Sequence, residues 1–562
     1  MQGNFLLTIE PGFSIRFNCF LYSDNMKTYT ILFLFLVSQN LLAQTWEKIF
    51  GYSDRRETFR NLTETYDQGF LVLGSFHFYP DTRGWVIKTD INGNLLYEIS
   101  IGTGTGLSQG NYPSHIEPTS DGGFIVCGSH DRWTPNDIGV TKHNACGELE
   151  WCKIFRTDGP NMFDWGRKIL QLPDGGFIML TQSYATNTNN TRIHLFRFDS
   201  SGEVIWIEPF ALTANHPYID NNGAYDLLID TNGDYFLSGF CYWCDDSVAT
   251  GGWNNVCRLK ALTLMADSTK AEQWVSVFRD TLRDQYSSAR FSTERCGKFY
   301  IGANYRINGE FPVMLLVNDS LGNFIHDTLP QIPDIGDKWA EGYLMDPVFS
   351  SDGRMFAHTL MADSTNFYPG WLSLHELDSL GGWHNTFLHP NAHYEARMIV
   401  TSDDKLLAGA VVGSELNQDI ILMKFNTNLE YDSIYTAPRE YDYLCPEPIV
   451  SKTIDLSSCE VIVDVKDIPT RKEYEARVSL IPITPAPNPA GDYVRFLLEN
   501  TEYHTKIRVV CYDIQGRQLA ELPVNSGIHE TGLDVSRWRP GMYMAVVYAG
   551  NKQMGKARFV VE

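Results

Sequence analysis

The sequence predicts an all-β protein: a seven-bladed β-propeller followed by a small C-terminal antiparallel β-sandwich. Three observations carry this. A turn-plus-strand phrase recurs at intervals of 51 to 64 residues. A second turn phrase follows the first after a variable loop in five of the seven copies. Hydrophobic residues make up 43% and aromatics 13% of 562 residues, which is globular rather than disordered composition.

The first phrase reads Asp67-Gln-Gly-Phe-Leu-Val-Leu-Gly74, Asp121-Gly-Gly-Phe-Ile-Val-Cys-Gly128, Asp174-Gly-Gly-Phe-Ile-Met-Leu-Thr181 and Asn232-Gly-Asp-Tyr-Phe-Leu-Ser-Gly239. Weaker copies start at Cys296, Asp352 and Asp403. The second phrase joins two strands through a Gly-closed turn: Asp90-Ile-Asn-Gly93, Asn144-Ala-Cys-Gly147, Asp199-Ser-Ser-Gly202, Asp319-Ser-Leu-Gly322 and Asp378-Ser-Leu-Gly381. Glycine there supplies the positive φ of a tight hairpin. A strand before the first phrase, such as 59–64 or 167–172, brings each unit to four. Four antiparallel strands per radial unit make a propeller blade, and stacking around an axis buries both faces. Seven copies place the propeller at 46–437, although weak copies five to seven also fit six or eight blades.

Upstream, Met26-Lys27, the apolar run from Ile31 to Val37 and the small residue Ala43 before Gln44 form a signal-peptide pattern over 26–43, with cleavage between Ala43 and Gln44. Residues 1–25 carry none of it and read as a non-native extension. No other stretch is long and apolar enough to span a bilayer. Ten of the eleven cysteines follow Met26, an even number that favours disulfides in an exported protein. The local pairs Cys146–Cys152 and Cys445–Cys459 are expected. Cys241-Tyr-Trp-Cys244, with Cys257 nearby, reads as disulfide-type rather than zinc-binding, since no second such pair is present.

Residues 438–483 read as a linker holding the Cys445–Cys459 pair, with proline at 482, 485, 487 and 489 resisting helix and sheet at its end. Alternating apolar strands then restart and close the chain as the sandwich. Its motif residues are Pro487-Asn488-Pro489, Asp513 with Gly516-Arg517, Leu533-Asp534 and Pro540-Gly541 with Tyr543. In order and spacing, residues 484–562 resemble the C-terminal sorting domain of the type IX secretion system of Bacteroidetes. The resemblance implies the secretion machinery as partner, export across the outer membrane and removal of the domain. Release, or attachment to the cell surface through lipopolysaccharide, then follows. It implies no active site.

The formal net charge is −23. Residues 1–43 are neutral overall and 484–562 carry +1, so 44–483 carries −24. Such a body is expected to repel nucleic acid, anionic membranes and phosphate-rich partners in general. No catalytic or cofactor residue is assigned. There is no Gly-x-Ser-x-Gly elbow, His-Glu-x-x-His pair or phosphate loop. His384, His389 and His393 cluster in sequence but fit no ligand spacing, so they read as loop histidines and no metal site is expected. Asp90-Ile-Asn92-Gly-Asn94 resembles the start of a calcium loop without its closing Glu, so structural calcium stays open but unsupported. Thr119-Ser-Asp121-Gly and Ser350-Ser-Asp352-Gly resemble fragments of the Asp-box of sialidase propellers, itself a structural turn. Phe76-His-Phe-Tyr79, Tyr242-Trp243 and Trp253 fit packing between blades better than sugar stacking. Two functions follow: a non-catalytic module binding a glycan, protein or surface component, or, as the alternative, a secreted hydrolase with carboxylates in the channel.

Overall fold

The computed structural model describes residues 46–562 except 54, 79–80, 103–110, 131–136, 157–161, 186–189, 211–218, 245–257, 267–272, 280–285, 307–310, 337, 364–365, 415–416, 438–443, 446–450, 464–467, 471–472, 475–480, 500, 502–505 and 551. Of the first 45 residues it describes only 8–9 and 13–14, so the signal-peptide reading, with Ala43 and Gln44, lies outside the described residues.

Among the described residues, seven sheets of four or five strands follow one another in a propeller-type fold. We number them I to VII. Their first strands are Arg56–Glu64, Asn111–Pro118, Met162–Gln171, Ile219–Ile229, Tyr286–Arg295, Lys338–Phe349 and Ala392–Val400. Each packs against the next, and the seventh packs against the first, so these strands line a closed ring. The outermost strand of sheet VII is Glu47–Phe50, which pairs antiparallel with Asn417–Phe425 and joins the two ends of the ring.

The phrase-one strands explain the continuous apolar runs. Alternate residues point to opposite faces of a strand. Phe70 and Val72 enter the core between sheets VII and I, while Leu71 and Leu73 enter the core between I and II. A separate core fills each seam in turn around the ring.

The repeated Asp of phrase one is an ion-pair anchor. Asp67, Asp121 and Asp403 hold Lys88, Lys142 and Lys424 at 2.8 to 2.9 Å, each lysine 21 residues on and at most 5% exposed. Arg197 replaces the lysine opposite Asp174. The same carboxylates accept the turn's own N–H, as Asp121 does from Gly123 at 2.9 Å. Burial raises the Asp67 carboxyl, but the Lys88 charge and the hydrogen bonds from Thr65, Lys88 and Gly69 outweigh it and hold it below the usual range.

The phrase-two turn clasps the neighbouring sheet. Trp46 donates its Nε1–H to Ile91 O in sheet I at 3.3 Å, and its ring lies where a Cβ on Gly93 would stand. Trp274 of sheet IV does the same to Ser320 O and Gly322 of sheet V.

The disulfides are Cys146–Cys445 and Cys152–Cys459, not the local pairs. Residues 438–483 are not a free linker. Ser451–Ile454 adds in parallel to Leu95–Ile101 as the fifth strand of sheet I, and Glu460–Val463 adds in parallel to Leu149–Arg156 of sheet II. Pro469 O then accepts from Ile207 N of sheet III at 3.1 Å, and Tyr474 packs on the core between III and IV. The segment is a belt around the outside of successive sheets. Its outer-strand partners are far away in sequence, which is why adjacent cysteines do not bond each other. The expected preference for disulfides over thiols is also incomplete. Cys244 is bonded, but Cys127, Cys241 and Cys511 are buried thiols and Cys296 is an exposed one.

The sandwich begins before the proline cluster ends. Ile483–Ala486, Tyr493–Leu498 and Glu530–Asp534 form one sheet, and four strands from 507 to 561 form the other. They enclose a core of their own around Phe496, Val509, Val547 and Phe559.

Candidate functional site: a basic central channel

The seven first strands share a local irregularity. In sheets I to V the pairing with the next strand slips by one residue, between Phe59 and Asn61, Pro113 and His115, Gly166 and Lys168, Ala224 and Asp226, and Ala289 and Phe291. Such a bulge leaves one residue unpaired, bends the strand and re-aims a side chain. The extra residues are Arg60, Ser114, Arg167, Tyr225 and Arg290. All five line one cavity of about 520 Å³ on the ring axis, together with Arg397 from sheet VII. The glycine that closes phrase one makes room for the bend. A Cβ on Gly128 would stand 2.3 Å from Tyr112 O, and one on Gly239 would stand 2.0 Å from Gly223 O.

Four arginines, one each from sheets I, III, V and VII, thus surround the cavity, and no acidic residue lines it among the described residues. Aromatic faces hold three of them. The Arg397 guanidinium lies 4.1 Å from the Phe291 ring centre, Arg290 lies 4.8 Å from that of Tyr225, and Arg167 sits between Trp165 and Tyr225. Arg167 also donates Nε–H to Gln182 Oε1 at 3.1 Å. Burial lowers its pKa to about 10; the nearby Tyr225 opposes this and the like charge of Arg290 adds to it.

Further along the axis lies a smaller cavity of about 240 Å³ with mixed charge. Asp346 of sheet VI accepts from Arg397 Nη1 and from Met398 N, both at 2.9 Å. Lys168 reaches Asp226 Oδ1 at 2.6 Å, while Asp226 Oδ2 accepts from the Ser292 N–H and hydroxyl. Both aspartates are therefore neutralised by a cation and fixed by hydrogen bonds. Glu117 is the third acid here. Burial pushes its carboxyl up to about 7 against the opposing charge of Lys168. Burial, and then Lys168 and Arg397, keep the His115 imidazole well below its ordinary value.

The sites suggested by sequence lie elsewhere. His389 Nδ1 accepts from Ala392 N at 2.7 Å and His389 Nε2 is 3.7 Å from Glu47. His384 is an exposed neighbour of Asp378. His384 lies in the strand Trp383–Leu388 and His393 in Ala392–Val400, so these two are not the loop histidines expected. No group of three potential metal ligands occurs among the described residues. Asp90 Oδ1 accepts from Asn92 N and Asn94 N, so its carboxylate serves the turn. Phe76 packs edge-on against Trp85 in a seam, Trp243 is covered by Arg279, and Tyr242 is 38% exposed. Tyr79 and Trp253 lie outside the described residues.

In the sandwich, the motif residues hold turns and strand ends. Asn488 Oδ1 accepts from Val560 N at 2.9 Å, beside the prolines 487 and 489. Asp513 accepts from Gln515 N and Arg517 N and pairs with Arg517 Nε at 2.7 Å around the positive-φ Gly516. Leu533 packs on the core, while Asp534 caps the turn at Ser536. Pro540 precedes the strand that Gly541 opens, and Tyr543 donates its hydroxyl to Arg539 O at 2.6 Å.

Residues 486–562 match the family described as the secretion system C-terminal sorting domain. No curated protein matches the chain in sequence. Solved structures similar to it are distant. A protein of unknown function from Bacteroides caccae is 11% identical, with 55% of this chain and 90% of that one covered and a TM-score of 0.29. The polysaccharide lyase Uly1 is 8% identical over 66% and 89%, with a TM-score of 0.39. The α-L-arabinofuranosidase Arb93A from Fusarium graminearum is 11% identical over 57% and 94%, with a TM-score of 0.32. No helix among the described residues is long and apolar enough to cross a membrane. With a sorting domain of the type IX secretion system at 486–562, the chain is a protein exported by that system to the cell surface or the extracellular space.

Proposed function

We propose that the exported body is a binding module whose channel takes an anionic ligand. The observation that carries this is the arginine quartet around a cavity with no acidic lining among the described residues, inside a chain of net charge −23. Guanidinium groups recognise carboxylate, sulfate and phosphate through paired N–H donors, and a recessed site strengthens each contact. The test is an array of neutral and acidic sugars and simple anions probed with the full chain. Acidic members alone should bind, and Arg167→Gln should weaken them. Binding confined to neutral members would refute the reading.

A hydrolytic reading has one feature in its favour, the Glu117 carboxyl held near 7, the value a general acid needs. Glycoside hydrolysis ordinarily uses a second, available carboxylate. Asp226 and Asp346 are both committed to cations. A turnover screen on acidic oligosaccharides decides: hydrolysis lost in Glu117→Gln would establish catalysis.

A further inference from the structure

We infer that the channel ligand is a compact molecule carrying at least two oxyanion groups, and not a segment of a long anionic polymer. This rests on the anion-binding reading above and narrows it. Arg60, Arg167, Arg290 and Arg397 come from alternate sheets around the axis. Sheets I, III, V and VII stand on different sides of the ring, and Arg397 already pairs with Asp346, so a ligand with two or more charged groups can meet the guanidiniums of more than one sheet. The volume of about 520 Å³ falls in the usual small-molecule range. Its far end meets the ion-paired layer of Lys168–Asp226 and Arg397–Asp346, where a further anion would compete with aspartates already in place.

The outer surface supplies the size discrimination. Residues 44–483 carry −24 although arginines line the cavity. Any part of a polyanion too long for the cavity must lie against that acidic body, where like charges repel over a Debye length of about 8 Å at physiological salt. A compact ligand sits wholly inside the basic region. The stacked arginines suit it. A guanidinium packed over a ring keeps its N–H donors at its own edge, where an oxyanion can reach them. Three of the four lie over rings, Arg397 also pairing with Asp346 and Arg167 donating Nε–H to Gln182.

The experiment is calorimetric titration of the full chain with pyrophosphate and with citrate, beside dextran sulfate and polygalacturonate as polymers, at physiological salt. Pyrophosphate, citrate or both should bind, and Arg290→Met should weaken that binding by about tenfold, the loss of one charged hydrogen bond. The polymers should show no arginine-dependent binding. If they bind in an Arg290-dependent way and the small anions do not, the compact-ligand proposal fails while the channel reading stands. If nothing binds in an arginine-dependent way, both fail. Thermal melting of the variant checks its fold, and Arg60→Met replaces it if Arg290→Met does not fold.

Discussion

Lys88 is 5% exposed, yet it carries a charge into the wall of sheet I. Asp67 and the carbonyl of Thr89 receive that ammonium, at 2.9 Å each. Removing one partner of a buried pair leaves the other uncompensated, so Lys88→Met should cost about 3–5 kcal/mol in chemical denaturation. The acid side follows from the same pairs. The carboxyls of Asp67, Asp121 and Asp403 are held below their ordinary value, so their contribution is complete above that value and is lost as pH falls through the lowered one. Glu57 and Glu117 have the opposite sign. Burial pushes both carboxyls up to about 7, with Asp419 reinforcing it at Glu57. Their contribution is complete below pH about 4.5 and is lost as pH rises to about 7. A Glu57→Gln, Glu117→Gln double variant should therefore flatten the fall in melting temperature across that window; an unchanged slope would show that these groups do not titrate there. Glycine 128 is a steric case. Gly128→Ala places a methyl 2.3 Å from Tyr112 O, so it should destabilise the chain and shift the neighbouring bulge.

At the scale of elements, the ring is closed twice. Glu47–Phe50 completes sheet VII, and Trp46, 1% exposed, anchors it to the sheet I turn. Trp46→Ala should cost about 3–5 kcal/mol, the usual price of an emptied aromatic site. The belt closes the first two sheets from outside through disulfides spanning 299 and 307 residues. A Cys445→Ser, Cys459→Ser variant should lose about 2–5 kcal/mol. Hydrogen exchange should locate the loss: amides of 451–454 and 460–463 lose protection, while those of sheets V and VI keep theirs. Uniform loss around the ring would contradict the belt as a separate element. The repeat units were legible in sequence because turn chemistry is local: Asp, Gly and an apolar run lie within eight residues. The belt was not. Its strands, Ser451–Ile454 and Glu460–Val463, pair with partners 353 and 307 residues earlier, and the prolines beyond them suggested an extended linker.

At the scale of the whole molecule, the arginine quartet shows how a site hides in a repeat. Arg60, Ser114, Arg167 and Tyr225 stand seven residues before the phrase-one anchors at 67, 121, 174 and 232; Arg290, Asp346 and Arg397 stand six before those at 296, 352 and 403. One residue per unit is thus delivered to the same axis, but each is more than 50 residues from the next. Only ring closure brings them together. The register was readable in principle, yet single arginines in strands of an acidic chain carry no local signal. The overall charge pointed away from anions because it averages a basic channel into an acidic body. The sorting domain was legible for the opposite reason: its whole pattern lies within one contiguous stretch, matched at 486–562.

Arg60, Arg167, Arg290 and Arg397 line the cavity on the ring axis, and the anion site proposed there is built from them. The most direct measurement is anomalous diffraction from crystals of the full chain soaked in tungstate, a dense divalent oxyanion. The predicted result is an ordered peak on the axis within hydrogen-bonding reach of two or more of these guanidiniums. A cavity filled by protein side chains, or an empty axis with tungstate bound elsewhere on the same molecule, would contradict the account.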